Sequence, residues 1–149
     1  MDLPDEAAAR ELGSVAHGPA LLASPAGVAV GLRCVFAHRT GLHLPLVLIA
    51  VGVHADAAAR RVREHGDGLR LTLGPAGGTP AVRLLPFASQ SAGNDDEFRQ
   101  ETAYWSDGLP DTEDLTLTVA WPEIGLPATP TALQLPGLAT LARAAVVLC

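Results

Sequence analysis

Five histidines are the side chains of this sequence best suited to bind a metal ion or to exchange a proton near neutral pH. Two of them, His38 and His43, flank Thr40-Gly41, and a pair that contains glycine between apolar runs is typical of a hairpin turn. If those two residues form the loop, His38 faces His43 directly, with Cβ atoms about 4.5–5.5 Å apart. Two imidazoles at that distance supply half of a tetrahedral zinc site. The other three histidines offer no obvious completion, so we expect an exposed histidine pair at a turn and no bound metal.

Acidic side chains cluster between residues 89 and 114, and paired carboxylates in a cleft can act as general acid and general base. Such a pair would make the chain a hydrolase or lyase, which is the alternative function that we keep open. A charge run of this type is also typical of a solvated face, and the polar stretch from Ser89 to Glu97 favours a loop. The oxygen-rich start of the run lacks the glycine and the ligand spacing of a calcium-binding loop. Seven carboxylates of this region are the candidates, namely those of Asp95, Asp96, Glu97, Glu101, Asp111, Glu113 and Asp114.

Motifs for nucleophilic catalysis and phosphate binding are missing from the sequence. There is no Gly-x-Ser-x-Gly, and the chain has no lysine, which excludes a phosphate-binding P-loop. Cys34 and Cys149 lack a local reactive signature, and we expect both thiols to be reduced in the cytoplasm. We therefore expect no catalytic residue and no cofactor.

Two tryptophans, Trp105 and Trp121, lie near proline-containing turns. Tryptophan is enriched among the residues that dominate protein–protein contacts. The pair is accordingly our candidate for binding a protein partner. The other interpretation is that both rings belong to the hydrophobic core.

Alternation of apolar and polar residues with period two predicts strands over most of the chain. In the longest alternating run we expect Val28, Val30, Leu32, Cys34 and Phe36 to share one face. A helix is expected after Pro136, because proline suits the first helical position, whereas residues 54–66 fit a helix or a loop equally well. The remaining predicted strands are residues 20–24, 42–53, 69–73, 81–85, 98–105, 115–121 and 128–135.

Seven or eight short strands without regular strand–helix alternation favour an all-β fold. We predict an immunoglobulin-like β-sandwich with a short C-terminal helix, although the cysteine pattern of antibody domains is absent. A chain of 149 residues is the size of one domain. The predicted organisation is a flexible leader, residues 1–16, followed by a single β-sandwich domain, residues 17–149.

The net charge of −6 disfavours nucleic-acid partners and anionic lipid surfaces. No apolar stretch reaches the length of a membrane helix, and the acidic start Met1 to Glu6 lacks the features of an export signal. We expect a cytoplasmic, non-catalytic protein-interaction or structural domain with an unknown protein partner. Its oligomeric state is predicted to be a monomer or a weak homodimer.

Two blocks of the sequence resemble a family of uncharacterised proteins common in actinobacteria. The first runs from Gly27-Val28-Ala29-Val30 through Arg39-Thr40-Gly41-Leu42 to Val53-His54, and the second is the stretch Leu115 to Pro127. The similarity covers roughly residues 20–145. It implies no activity, cofactor or catalytic residue, so the functional expectation depends on the residues themselves.

Overall fold

A computed structural model describes residues 10–66, 68–94 and 96–148 of the protein. The chain is mostly β-strand in antiparallel sheets, with two short α-helices, so the all-β prediction is confirmed. No helix among the described residues is both long and apolar enough to cross a membrane. The strands are β1 (Glu11–Leu12), β2 (Ser14–His17), β3 (Ala20–Ala23), β4 (Val28–Leu32), β5 (Val35–His38), β6 (Gly41–Val51), β7 (Arg70–Pro75), β8 (Leu84–Gly93), β9 (Glu97–Ser106), β10 (Asp114–Trp121), β11 (Leu126–Gln134) and β12 (Val146–Val147). The helices are α1 (Val53–His65), the 3₁₀ helix Pro122–Ile124 and α2 (Leu138–Arg143).

The largest sheet is built around β6, which is the longest strand of the described chain. One edge of β6 pairs with β5 near the start of the strand and with β4 near its end, while the other edge pairs with β9. Strands β2, β3 and β8 then extend the sheet beyond β5, β4 and β9. Alternate residues of β6 are fully buried, which gives this sheet one apolar inner face.

A second sheet has the order β11–β10–β7, and its inner face joins the same hydrophobic cluster as the inner face of β6. Strand β10 shows the cleanest alternation, with Leu115, Leu117, Val119 and Trp121 all buried. The Thr131 hydroxyl of β11 donates a hydrogen bond to the carbonyl of Leu22 in β3, at 3.4 Å between the oxygens, and thereby links the two sheets at one edge.

Residues 53–65 form helix α1, which decides between the two readings of the 54–66 stretch. The helix packs against β6, β9 and the 3₁₀ helix through Ala55 and Ala58, both of which are buried. Gly66 ends it in the left-handed conformation, with φ of 66°, and its N–H reaches the last-turn carbonyls. Helix α1 thus covers one end of the hydrophobic cluster.

The predicted single strand over residues 28–37 is two strands, β4 and β5. The prediction that its alternate residues all share one face was therefore wrong. Val28, Val30 and Leu32 point inward as expected. After them the inward-pointing residues are Val35 and Ala37, whereas Cys34 and Phe36 do not point inward. The pairing with β6 shifts by one residue between the two strands, as at a β-bulge. Pro45 of β6 lies at this break, where its carbonyl accepts the Arg33 N–H at 2.9 Å. Proline fits there because its missing N–H faces a gap in the ladder.

A further prediction, about a loop, differs from the structure. Residues 89–97, expected to form a loop, belong mostly to the hairpin of β8 and β9. Strand β8 pairs with β9 alone, and its residues 89–93 are all exposed, so this end of the strand carries no apolar period for the sequence to reveal. In the predicted leader, residues 1–9 lie outside the described residues, whereas 11–12 and 14–17 form β1 and β2.

Candidate functional site

The turn between β5 and β6 places the candidate histidines differently from the predicted register. His38 pairs with Gly41 and Phe36 pairs with His43, so the loop residues are Arg39 and Thr40. His38 and His43 are therefore diagonal neighbours on one face, with ring centroids 6.1 Å apart. The predicted direct opposition of the two imidazoles was wrong. Within the described residues, no group of three or more histidine, cysteine, aspartate or glutamate side chains could hold a metal ion.

His38 is a buried residue that is held by a carboxylate from the start of the chain, and the expected exposure of the pair was also wrong. Its Nδ1 donates a hydrogen bond to Oε1 of Glu11 at 2.9 Å, and the two side chains are only 4% and 9% exposed. The same oxygen accepts the backbone N–H of Arg39 at 3.0 Å. A short buried pair with two donors fixes β1 against the β5–β6 turn.

Gly13 allows this close contact between β1 and the outer face of the large sheet. A Cβ atom at position 13 would lie 2.7 Å from Nε2 of His38 and 2.9 Å from Cβ of Phe36. Both distances are well inside van der Waals contact. The segment that carries Glu11 can therefore approach the imidazole only because residue 13 has no side chain.

Both candidate tryptophans are buried, but in different surroundings. Trp121 is fully buried in the main hydrophobic cluster, with its ring edge against Phe98 at a centroid distance of 6.3 Å. Trp105 is 3% exposed and lies on the outer face, where its centroid is 5.0 Å from that of His38. Neither indole presents its face to solvent, so each contributes to packing in this conformation.

The carboxylates of the 89–114 region are spread over separate parts of the surface. Glu101 accepts hydrogen bonds from Arg33 at 2.5 Å and from Arg99 at 3.0 Å, and these hold its pKa below the usual range, the Arg33 bond contributing most. Glu113 caps α2 by accepting the N–H groups of Gly137 and Leu138. These carboxylates have structural partners at separate positions.

Other acids of the region lie near turns and clefts. Glu97 lines an open cleft of about 430 Å³ beside Asp56 of α1, and Asp111 lines a different one. Asp96 is exposed, and Asp95 lies outside the described residues. The side chain of Asn94 accepts two backbone N–H groups at 2.9 Å and so closes the β8–β9 turn. The oxygen-rich stretch therefore stabilises a hairpin.

The two-stranded sheet of β1 and β12 presents an exposed apolar surface. Leu12 pairs with Val146, and the Leu148 N–H continues the ladder by donating to the Arg10 carbonyl at 2.7 Å. Because alternate residues share a face, Leu12, Val146 and Leu148 point away from His38, and they are 57%, 55% and 58% exposed. We call these three side chains the apolar ribbon face. Glu11 lies on the opposite face and anchors the ribbon to the domain.

The pKa of His43 offers a test of this histidine arrangement. Burial, and secondarily the charge of His38, lowers the pKa of His43 below the unfolded value of 6.5. The unfolded chain then binds protons more readily, so the His43 contribution is fully present above that value and is lost as pH falls through the folded pKa.

We expect the loss of melting temperature between about pH 7.5 and about pH 5.5 to be smaller in His43→Ala than in the wild type. Paired thermal melts of the two proteins measure it. The exposed Gln134→Ala variant, which removes no ionisable group, is the control and should keep the wild-type pH dependence. Identical pH dependence in His43→Ala and the wild type would contradict the burial of His43 beside His38.

Sequence reasoning missed the ribbon and its anchor. It found His38 but gave it the wrong neighbour, and it placed Glu11 in a leader without a partner. The strands β1 and β12 are two residues each and are far apart in the chain, so neither shows a period. The one available signal was the pair of apolar residues at 146 and 147 after the predicted C-terminal helix.

No family model, curated protein or solved structure matches this chain.

Proposed function

We propose that this protein is a non-catalytic protein-interaction domain whose contact surface is the apolar ribbon face. The observation that carries the proposal is the exposure of Leu12, Val146 and Leu148, each more than half exposed, on one side of a sheet that is anchored on the other. Large apolar side chains that share an exposed face mark interaction sites more often than scattered ones do.

The anchoring beneath the ribbon supports this assignment. Glu11 of β1 is bonded to His38 and to the Arg39 backbone, on the side of the ribbon opposite the apolar ribbon face. The apolar side chains are therefore held in place before any partner binds. A surface that is already ordered loses less conformational entropy on binding. The candidate anchors Trp105 and Trp121 would act indirectly, by packing beneath the contact surface and in the core.

The partner that the ribbon fits best is a second copy of this chain. The interface of a two-fold dimer joins the same surface patch of both copies. Stacking the apolar ribbon faces of two copies would therefore place Leu12, Val146 and Leu148 of one copy against the same three side chains of the other. Three side chains form a small contact, so the homodimer is weak.

Light scattering as a function of concentration tests the proposal. We expect the average mass of the wild type to rise from monomer towards dimer between about 10 µM and about 1 mM, a range that corresponds to weak association. The double variant Leu12→Ser/Val146→Ser should stay monomeric over the same range. The matched control is Leu21→Ser/Val53→Ser, which removes two apolar residues that lie outside the ribbon and are even more exposed, and it should behave as the wild type.

Two outcomes would overturn the proposal. A wild type that stays monomeric at the highest concentration rejects self-association through the ribbon. A dimer that the control variant abolishes, and the ribbon variant does not, places the contact elsewhere.

Two further parts of the proposal concern architecture and location. An immunoglobulin-like sandwich is supported by the shared hydrophobic cluster between the two antiparallel sheets. A cytoplasmic location is supported by the unpaired Cys34 thiol, whose pKa is raised by burial and whose reactivity is correspondingly low. The resemblance to the actinobacterial family belongs with these proposals.

A further inference from the structure

A cleft of about 440 Å³ lies between the β5–β6 turn, the β9–β10 loop and helix α2. Leu109, Ala139 and Ala142 supply apolar surface, and Arg39 and Arg143 are the charged residues of its lining. This volume falls within the range of small-molecule sites, which are mostly apolar with a few placed polar groups. Its position and residues are distinct from the apolar ribbon face.

Arg39 is held in place through both its backbone and its side chain. Its backbone N–H donates to Glu11 at 3.0 Å, and its Nη2 donates to the carbonyl of Ala145 at 3.3 Å. A guanidinium has five N–H donors, so most of the donors of Arg39 stay available to a ligand. Arg143 contributes the second guanidinium from α2, where its Nη2 is 3.5 Å from the Thr140 hydroxyl.

The two arginines lack an internal counterion in the part of the chain that the structure describes. Arg33, Arg70 and Arg99 each form an ion pair with a glutamate, but no described carboxylate lies within 4.0 Å of the guanidinium nitrogens of Arg39 or Arg143. The protein carries sixteen acidic and ten basic side chains, so two arginines without a described acid partner at one cleft are a notable local excess of positive charge. An anion from outside would neutralise it.

We infer that this cleft binds a small organic carboxylate with an aliphatic body. The carboxylate would accept hydrogen bonds from Arg39 and Arg143, and the aliphatic body would contact Leu109, Ala139 and Ala142. The planar guanidinium fork matches a carboxylate better than a point charge does. The apolar lining distinguishes such a ligand from an inorganic anion, which would gain nothing from the three apolar side chains.

Titration of the full chain with octanoate, followed by calorimetry and by amide chemical shifts, tests the inference. We expect saturable binding with shifts at residues 39, 109 and 142. Arg143→Gln should weaken octanoate binding by about three- to tenfold, the magnitude of one charge-assisted hydrogen bond at a partly exposed site. Ala139→Phe should also weaken it by filling the cleft without changing the charge. The matched control is Arg60→Gln, an exposed arginine of α1, which should bind as the wild type does.

Three probes separate the contributions of charge and apolar surface. We expect 1-octanol, which keeps the body without the charge, and inorganic phosphate, which keeps charge without the body, both to bind more weakly than octanoate. Either probe binding as tightly as octanoate would overturn the inference. So would octanoate binding that both Arg143→Gln and Ala139→Phe leave unchanged, or an absence of saturable binding by the folded wild type.

Discussion

Replacing Trp121 with alanine is expected to lower the free energy of unfolding by about 3–5 kcal/mol, because it empties a large, fully buried site between the sheets. A domain of this size is stable by about 5–15 kcal/mol in total, so the loss should be a large fraction of the free energy of unfolding. Urea denaturation of the variant and the wild type measures the difference. Trp121→Phe, which keeps an aromatic ring against Phe98, should lose less than half as much.

The same substitution separates a core residue from a surface anchor. If Trp121 were a surface anchor, replacing it would weaken association but change the free energy of unfolding by no more than about 0.5 kcal/mol, as surface substitutions usually do. Val53→Ala, at a residue 76% exposed, provides that reference. If Trp121→Ala matched Val53→Ala in stability, the position of Trp121 in the hydrophobic cluster would be wrong.

Replacing Glu11 with alanine is expected to cost about 1.5–3 kcal/mol, because the Nδ1–H of His38 and the N–H of Arg39 both lose their acceptor. Glu11→Gln keeps an acceptor oxygen and should lose about half as much. Urea denaturation again gives the values.

A matched control for Glu11 is Glu123, which forms a more exposed ion pair with Arg70. Glu123→Ala should cost about 0–1 kcal/mol, as is usual for surface pairs. If the two alanine variants were equally stable, the buried contact between Glu11 and His38 would not hold the ribbon in place. A loss confined to Glu11→Ala, together with faster amide exchange at residues 10–13, would agree with the structure.

Strands that bury one face were predictable, because their apolar residues must recur with period two. Strand β10 is the clearest case, since Leu115, Leu117, Val119 and Trp121 all enter the core. Only the start of β8 fell within the predicted strand over residues 81–85. Its residues 89–93 were not predictable as a strand, because they are exposed and β8 pairs with β9 alone. The break between β4 and β5 was hidden because alternation resumes after it with the opposite phase.

The candidate site was harder to predict because its residues break the usual patterns. Glu11 is polar and nearly buried, whereas Leu12 is apolar and exposed, and only a partner 27 residues away explains this inversion. The turn register was wrong for a similar reason. Gly41 was interpreted as a turn residue, but a Cβ there would lie 2.5 Å from the Ser106 carbonyl. Glycine is required at position 41 because a neighbouring strand approaches it closely, and the sequence alone does not reveal that approach.

Amide hydrogen–deuterium exchange at low and high protein concentration tests the central claim, that the apolar ribbon face is the contact surface. We predict that exchange at residues 10–15 and 146–148 slows when the concentration rises from about 10 µM to about 1 mM, the range of weak association. Residues 20–23 and 53–56, which carry exposed apolar side chains elsewhere, should exchange at the same rate at both concentrations. Equal exchange in the ribbon at both concentrations, or slowing confined to residues 20–23 or 53–56, would contradict the account.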